Sequence, residues 1–418
     1  MNHVYNPSFS PSQNALLAQL NYDESKVDPY ELPSPLICQD GTVVDSPELW
    51  KNKRRPEILA LFEEQVYGRM LPKTRIQADL VEECREALSG KATRRQVTIS
   101  FPDHAGPSLH LALYLPNESR QPAPCFLGLN FHGNHAAFDD PAIELSTAWM
   151  RPGEPGIVDH RSTPASRATG VSRWPLDEII GRGYALATLY YGDIEPDHEM
   201  GFPQSVRSMF LTSGEHRKGD EAGAITAWAW GLSRVMDYLE TVEEIDADRV
   251  CLTGHSRLGK TSLWAGANDQ RFALVISNNS GCGGAALSRR NFGETLYVLS
   301  NVRPHWFCEN CRTQSEDIGS LSVDQHMLIS LIAPRPVFVS SAREDHGADP
   351  LGEYSSCRNA NDLYRMLGTD GMASQSFPEL DQPIMSTVGY VIRPGHHDIT
   401  PGDWAYHLDF ADLHLRSA

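Results

Sequence analysis

Three short stretches of this chain carry the residue types of nucleophilic catalysis. The first is "RVCLTGHSRLGKTSLWAGA", Arg249 to Ala267. An apolar run enters Ser256 through Gly254, and a helical pattern leaves it. A sharp strand-to-helix turn lifts a serine hydroxyl clear of the backbone and aims the first helical amides at a developing oxyanion. Gly254 is required there, because a side chain would collide inside the turn. The usual G-x-S-x-G spacing is not met in full: Leu258 stands at the second glycine position and Gly259 follows it. A serine that merely caps a helix has the same local look. The other two stretches favour chemistry.

The second is "RPGHHDIT", which follows the apolar run Val388–Ile392 and offers His396 and His397 as general bases. Spacing alone does not separate the two. The third is "AREDHGADP", which follows Pro336–Ser341 and offers Glu344, Asp345 and Asp349 as the acid that would hold the imidazole tautomer. Serine, then acid, then histidine is the chain order of α/β-hydrolases. All three groups are expected at the C-terminal ends of strands, where open α/β sheets build their sites.

The elements that must position them are legible as alternation. Short apolar runs at Cys125–Phe131, Tyr184–Tyr190, Val250–Thr253, Phe272–Ile276, Val337–Ser340 and Val388–Ile392 are separated by helical patterns such as Gly223–Glu240 and Lys260–Ala267. Continuous buried strands alternating with helices predict a mostly parallel sheet covered on both faces, a three-layer α/β/α sandwich of the α/β-hydrolase type. Upstream, Arg54–Gly68 has helical spacing. Gln96–Phe101 and Leu109–Leu115 alternate as antiparallel strands, expected as a hairpin on the edge of the larger sheet. Residues 1–45, rich in Pro, Ser and Asn, read as an extension. Residues 46–418 read as one catalytic domain, with Ala142–Trp174 an irregular insertion over the sheet.

Composition narrows the partners. The chain has 418 residues, 40% of them hydrophobic and 22% charged, as ordinary globular proteins have. A net charge of -18 disfavours nucleic acid and anionic membranes. No apolar run approaches the ~18 residues of a membrane span. Met1–Gln19 has no basic region followed by an apolar one, so the chain reads as intracellular or as lacking its leader. Eight cysteines are too sparse for a disulfide scaffold. Cys308 and Cys311 form a CxxC without a matching ligand pair for zinc, which leaves a local disulfide or two free thiols. His132, His135 and Asp139 lie close enough in "FHGNHAAFDD" to suggest a metal, but they read better as a loop framing the site.

Several motifs together resemble one family. "GHSRLGK", "ISNNSGCGGAALSRR", "FGET", "DQHMLI.LIAPRPV", "ED..ADP.GE" and "R.G.H...DW" are similar to the bacterial glucuronoyl esterases of carbohydrate esterase family 15, as are "NKRRPEIL.LFEEQVYGRM" and "FLGLNF.GNH". The resemblance runs from about Pro33 to the C-terminus. It implies hydrolysis of the ester between 4-O-methyl-glucuronate of xylan and lignin alcohols, without a cofactor, on a small or oligosaccharide substrate, by an enzyme outside the cytoplasm. It implies Ser256 as nucleophile, Arg257 as the oxyanion-stabilising arginine, Lys260 and Glu294 as sugar-hydroxyl contacts, and His397 as the base. Lys260 lies at i+4 from Ser256, on the same helix face.

Two departures matter. Where many members carry a glutamate after the strand following the nucleophile helix, this chain has Asn279, which cannot balance an imidazolium. The family's alternative acid position then corresponds to Asp345. Gly347 stands where relatives often have a tryptophan that covers the sugar, which predicts weak hold and poor discrimination among uronates. An esterase for another sugar or uronate ester, and an inactive carbohydrate-binding relative, are the alternatives; Ser256, Asp345 and His397 together argue against the second.

Overall fold

The apolar runs become the strands of one sheet. A computed structural model describes residues 10–119, 121–210, 219–374 and 376–416. Its main sheet contains β1 Gln77–Ala87, β2 Ala92–Ser100, β3 Leu109–Pro116, β4 Ala123–Asn130, β5 Ala185–Tyr190, β6 Ile245–His255, β7 Leu274–Asn278, β8 Val337–Ala342 and β9 Val388–Arg393. The spatial order is β1-β2-β3-β5-β4-β6-β7-β8-β9. β1, β2, β3 and β5 pair antiparallel; every pair from β5–β4 to β8–β9 is parallel.

Side chains alternate across this sheet, as the pleat requires. Cys125, Leu127, Val250, Leu252, Val275, Val337 and Val339 enter one core; Phe126, Cys251, Leu274, Ile276 and Phe338 enter the other. The helices that matter here are α1 Pro11–Leu17, α2 Arg55–Phe62, α3 Leu176–Gly181, α4 Ala224–Leu239, α5 Arg257–Asn268, α6 Pro350–Met366 and α7 Pro401–Leu415. α4, α5 and α6 bury residues in the first core, α3 and α7 in the second. The result is three layers. No helix among the described residues is long and apolar enough to cross a membrane.

The expected edge hairpin is corrected by one strand. β2 and β3 pair as expected, but β1 lies outside them and forms the edge. Its sequence, QADLVEECREA, is rich in helix formers, and most of it is exposed. Pairing decides its structure: Glu82 meets Arg94 at 2.8 Å and Glu83 meets Arg95 at 2.8 Å across the ladder. The helix expected at Arg54–Gly68 is α2, flanked by π-helical turns at Trp50–Arg54 and Glu63–Tyr67.

Residues 10–45 lie along the body of the protein. Leu16, Leu17 and Leu20 pack on the main core, Arg54 donates to the Ser34 carbonyl at 3.0 Å, and Pro33 O lies 2.8 Å from His326 Nε2. The basic and apolar pattern sought at Met1–Gln19 falls partly on residues 1–9, outside the described residues. Ala142–Trp174 is mostly irregular, with one short hairpin, Ile157–Val158 against Arg161–Ser162. Cys308 and Cys311 are buried free thiols, and burial pushes the Cys308 thiol up to about 11.

Candidate active site

β6 delivers Ser256 and α5 carries the chain away. Ser256 sits at φ 57° and ψ -130°, a left-handed conformation costly for a residue with a Cβ. The cost is held in place by packing around the turn. Ser256 N–H donates to Asn278 O of β7 at 2.9 Å. A Cβ on Gly254 would lie 2.1 Å from Leu258 O, and one on Gly259 3.0 Å from Gly254 O. The demand for a small residue therefore falls on Gly254 and Gly259, while Leu258 is free to enter the core.

His397 comes from the loop after β9. Its Nε2 lies 2.9 Å from Ser256 Oγ, and its Nδ1 lies 2.6 Å from Asp345 Oδ2. The loop is wound around Arg393, which donates to the carbonyls of Pro394 at 2.9 Å, Asp398 at 2.7 Å and His396 at 3.3 Å. Arg393 Nε also binds Asp403 at the start of α7 at 2.8 and 2.9 Å. His396 is exposed, and the imidazole within reach of Ser256 Oγ is that of His397. The two other acids of the β8 loop have separate partners. Glu344 accepts the Gly395 N–H, and Asp349 binds Arg290 at 2.7 Å and caps α6 through the Gly352 N–H at 3.0 Å.

Beneath His397 lies a residue that the motif reading passed over. The His255 ring packs against it, with centroids 4.6 Å apart and the planes tilted by 42°. Burial, above all, and the neighbouring His397 hold His255 well below the ordinary histidine range. Its Nδ1 lies 2.6 Å from Asn278 Oδ1, and Asn278 donates on to Ser340 at 2.9 Å and Asp403 at 3.1 Å.

Arg257 opens α5 and lines a cleft of about 170 Å³ together with Ser256 and His397. Its guanidinium sits 5.2 Å from the Phe131 ring centroid and 5.1 Å from that of Trp306, and Asp197 lies 3.5 Å away. Asp197 also accepts from Trp306 Nε1 at 2.7 Å and Tyr191 Oη at 3.1 Å, with His305 Nε2 at 2.8 Å. Burial works to raise the Asp197 carboxyl, but Arg257 and His305 hold it far below the usual range. Sequence reasoning missed Asp197. Its only signal is its position just past β5, at the site-forming end of the sheet. The insertion supplies Met150, Arg151, Glu154, Ile157 and Arg173 to the cleft wall.

Lys260 and Glu294 do not line this cleft. Lys260 is buried, and its Nζ donates to the Ser280 carbonyl. Burial lowers its affinity for a proton, and nearby Glu294 partly restores it. Glu294 is half-buried, and its N–H binds Gly347 O at 3.0 Å. Asn279 is buried with φ 45°, and its side-chain amide has no hydrogen bond among the described residues. His132 lines the cleft, but His135 turns to Ser166 Oγ at 2.8 Å and Asp139 is exposed, so the three do not converge.

Below Asp345, Glu353 of α6 is fully buried and tied to Ser341, to Ser280 at 3.2 Å and to the Gly281 N–H at 2.9 Å. Burial pushes its carboxyl up to about 8. The folded state therefore keeps a proton that the unfolded chain releases near pH 4.3. The stability this adds is complete below pH 4.3 and is lost as pH rises towards 8, at about 1.4 kcal/mol per pH unit. Glu353→Gln should flatten the fall in denaturation free energy between pH 5 and 8. Equal slopes in the two proteins would show that this carboxyl is ionised throughout.

A serine turned out of a strand-to-helix elbow, with histidine and aspartate from later strand ends of a sheet in this order, defines an α/β-hydrolase fold with the geometry of nucleophilic ester cleavage. Comparison with known proteins narrows the class. A family model described as "Glucuronyl esterase, fungi" matches residues 214–368. Carbohydrate esterase MZ0003, from an unknown prokaryotic organism, is 46% identical over 94% of this chain and 92% of its own. The structure of a promiscuous CE15 esterase from a marine bacterial metagenome superposes with a TM-score of 0.89 at 45% identity, covering 94% of this chain and all of that one. A glucuronoyl esterase from Solibacter usitatus gives 0.88 at 41% identity, covering 93% and 99%. The chain belongs to carbohydrate esterase family 15, the glucuronoyl esterases, and is a carboxylic-ester hydrolase.

Proposed function

We propose that this esterase cleaves glucuronate esters, releasing the alcohol through an acyl-enzyme on Ser256. The observation that carries this reading is the unbroken chain from Ser256 Oγ to His397 at 2.9 Å and from His397 to Asp345 at 2.6 Å. Ser256 Oγ attacks the ester carbonyl while His397 takes its proton. Asp345 holds the Nδ1–H tautomer and balances the imidazolium. The tetrahedral oxyanion faces Arg257, fixed by Asp197 in a site walled by Phe131 and Trp306, where a positive charge acts strongly. Collapse expels the alcohol, which takes the proton from His397. Water, deprotonated by His397, then releases the uronate and frees Ser256. Glu294, half-buried beside Gly347, contacts ring hydroxyls, and Lys260, buried on the Ser280 carbonyl, acts through its charge near Glu294. Phe131, Met150, Ile157 and Tyr191 give the cleft an apolar wall suited to an aromatic alcohol. Residues 46–418 act as the catalytic domain, with the preceding segment laid against it.

Initial rates on benzyl glucuronate, methyl galacturonate and an aryl acetate test the substrate. A kcat/KM highest on the glucuronate supports the assignment. A preference for the acetate would move the protein to a general esterase. The Arg257 role has its own test. Arg257→Ala should lower kcat by roughly 10²- to 10³-fold with a smaller change in KM. A loss confined to KM would make Arg257 a binding group only.

A further inference from the structure

The segment before the catalytic domain passes beside the loop that carries Asp345, and there it presents an aromatic residue, Tyr22. The chain is pinned on both sides of it. Asn21 O accepts the Gly293 N–H at 2.7 Å, and Glu24 pairs with Arg290 at 2.8 Å. Arg290 binds Asp349, four residues after Asp345, so the strap is tied to the loop that carries the acid. Gly293 is itself wedged against that loop: a Cβ there would lie 2.5 Å from His346 O and 2.6 Å from Gly347 O. The next residue, Glu294, is tied to Gly347 O. Asn21, Gly293, Glu294 and Gly347 thus form one continuous rim, and Tyr22 stands on it.

Tyr22 is only partly packed. Its ring meets Phe292 edge to face, with centroids 6.4 Å apart at 78°, and 41% of the residue stays exposed. Partial burial, with the nearby carboxylates of Glu294 and Asp345, raises the phenol above its ordinary value. In front of Gly347 the space is open: a Cβ there would meet nothing but Asp345 Oδ1, at 3.8 Å. A rigid, half-exposed aromatic ring beside an open space, a carboxylate and the catalytic loop is how proteins cover the apolar face of a sugar ring, since such a face gains contact area without ordering a flexible side chain.

We propose that Tyr22 is a specificity-determining residue that packs its ring on the uronate and closes the space left open at Gly347. The proposal rests on the glucuronate reading above. It also revises the expectation of weak hold drawn from Gly347, because the cover comes from a segment far away in sequence.

The test compares wild type, Tyr22→Ala and Tyr22→Phe on benzyl glucuronate and on an aryl acetate that carries no sugar. Tyr22→Ala should raise the KM for the glucuronate relative to the KM for the acetate by about tenfold, the size expected for one lost aromatic face. Tyr22→Phe should keep the wild-type ratio. Wild-type hydrolysis of benzyl glucuronate with an unchanged KM ratio in Tyr22→Ala would overturn this proposal alone. So would a Tyr22→Phe enzyme as impaired as Tyr22→Ala, which would assign the hydroxyl and not the ring. A wild type inactive on benzyl glucuronate but active on the acetate would overturn it together with the substrate assignment.

Discussion

Ser256→Ala is expected to lower kcat by roughly 10⁴- to 10⁶-fold on every ester the wild type cleaves, with the melting temperature little changed. The size follows from what is removed. Without Oγ there is no acyl-enzyme, and His397 has no hydroxyl to deprotonate at 2.9 Å. What survives is the binding of the substrate and the field of Arg257, which still favour attack by water. The fold survives because the elbow is shaped by Gly254, Gly259 and the Ser256 N–H bond to Asn278, none of which needs the hydroxyl. Near-wild-type turnover in the variant would remove Ser256 from the mechanism.

Asp345→Asn is the second large effect, expected near 10⁴-fold in kcat. An amide can turn its NH₂ towards Nδ1 and favour the tautomer whose Nε2 carries the proton, so His397 could no longer accept from Ser256. It also leaves the imidazolium unbalanced. Asn279 is neutral, and no charge at that position compensates. Glu344→Gln and Asp349→Asn discriminate the assignment. Glu344 holds the Gly395 N–H, and Asp349 holds Arg290 and the start of α6, so their loss should appear mainly in loop order and stability. An Asp345→Asn enzyme within tenfold of wild type, with Glu344→Gln crippled, would transfer the acid role to Glu344.

How far the sequence led depended on whether a feature was written in local pattern. The parallel strands were legible because each is buried on both faces and reads as an unbroken apolar run. The elbow was legible because only glycine fits at Gly254. β1 was not legible, because its Glu, Ala and Leu content suits a helix, and the Arg94 and Arg95 partners that make it a strand lie on β2. The choice between His396 and His397, open on spacing, turns in the structure on the path of a loop wound around Arg393. Asp197 and Tyr22 escaped for a shared reason. Each comes from a segment with no motif, Asp197 60 residues before Arg257 and Tyr22 in the extension, and only folding brings Asp197 beside Arg257 and Tyr22 near Asp345.

Ester cleavage is expected to run through a covalent intermediate on Ser256. The most direct measurement is rapid acid quench of wild-type enzyme mixed with benzyl glucuronate, followed by peptide mass spectrometry. A glucuronoyl adduct on the peptide containing Ser256, formed as fast as benzyl alcohol appears and absent in Ser256→Ala, is the expected result. An adduct on another residue, or hydrolysis that continues at the wild-type rate in Ser256→Ala, would contradict it.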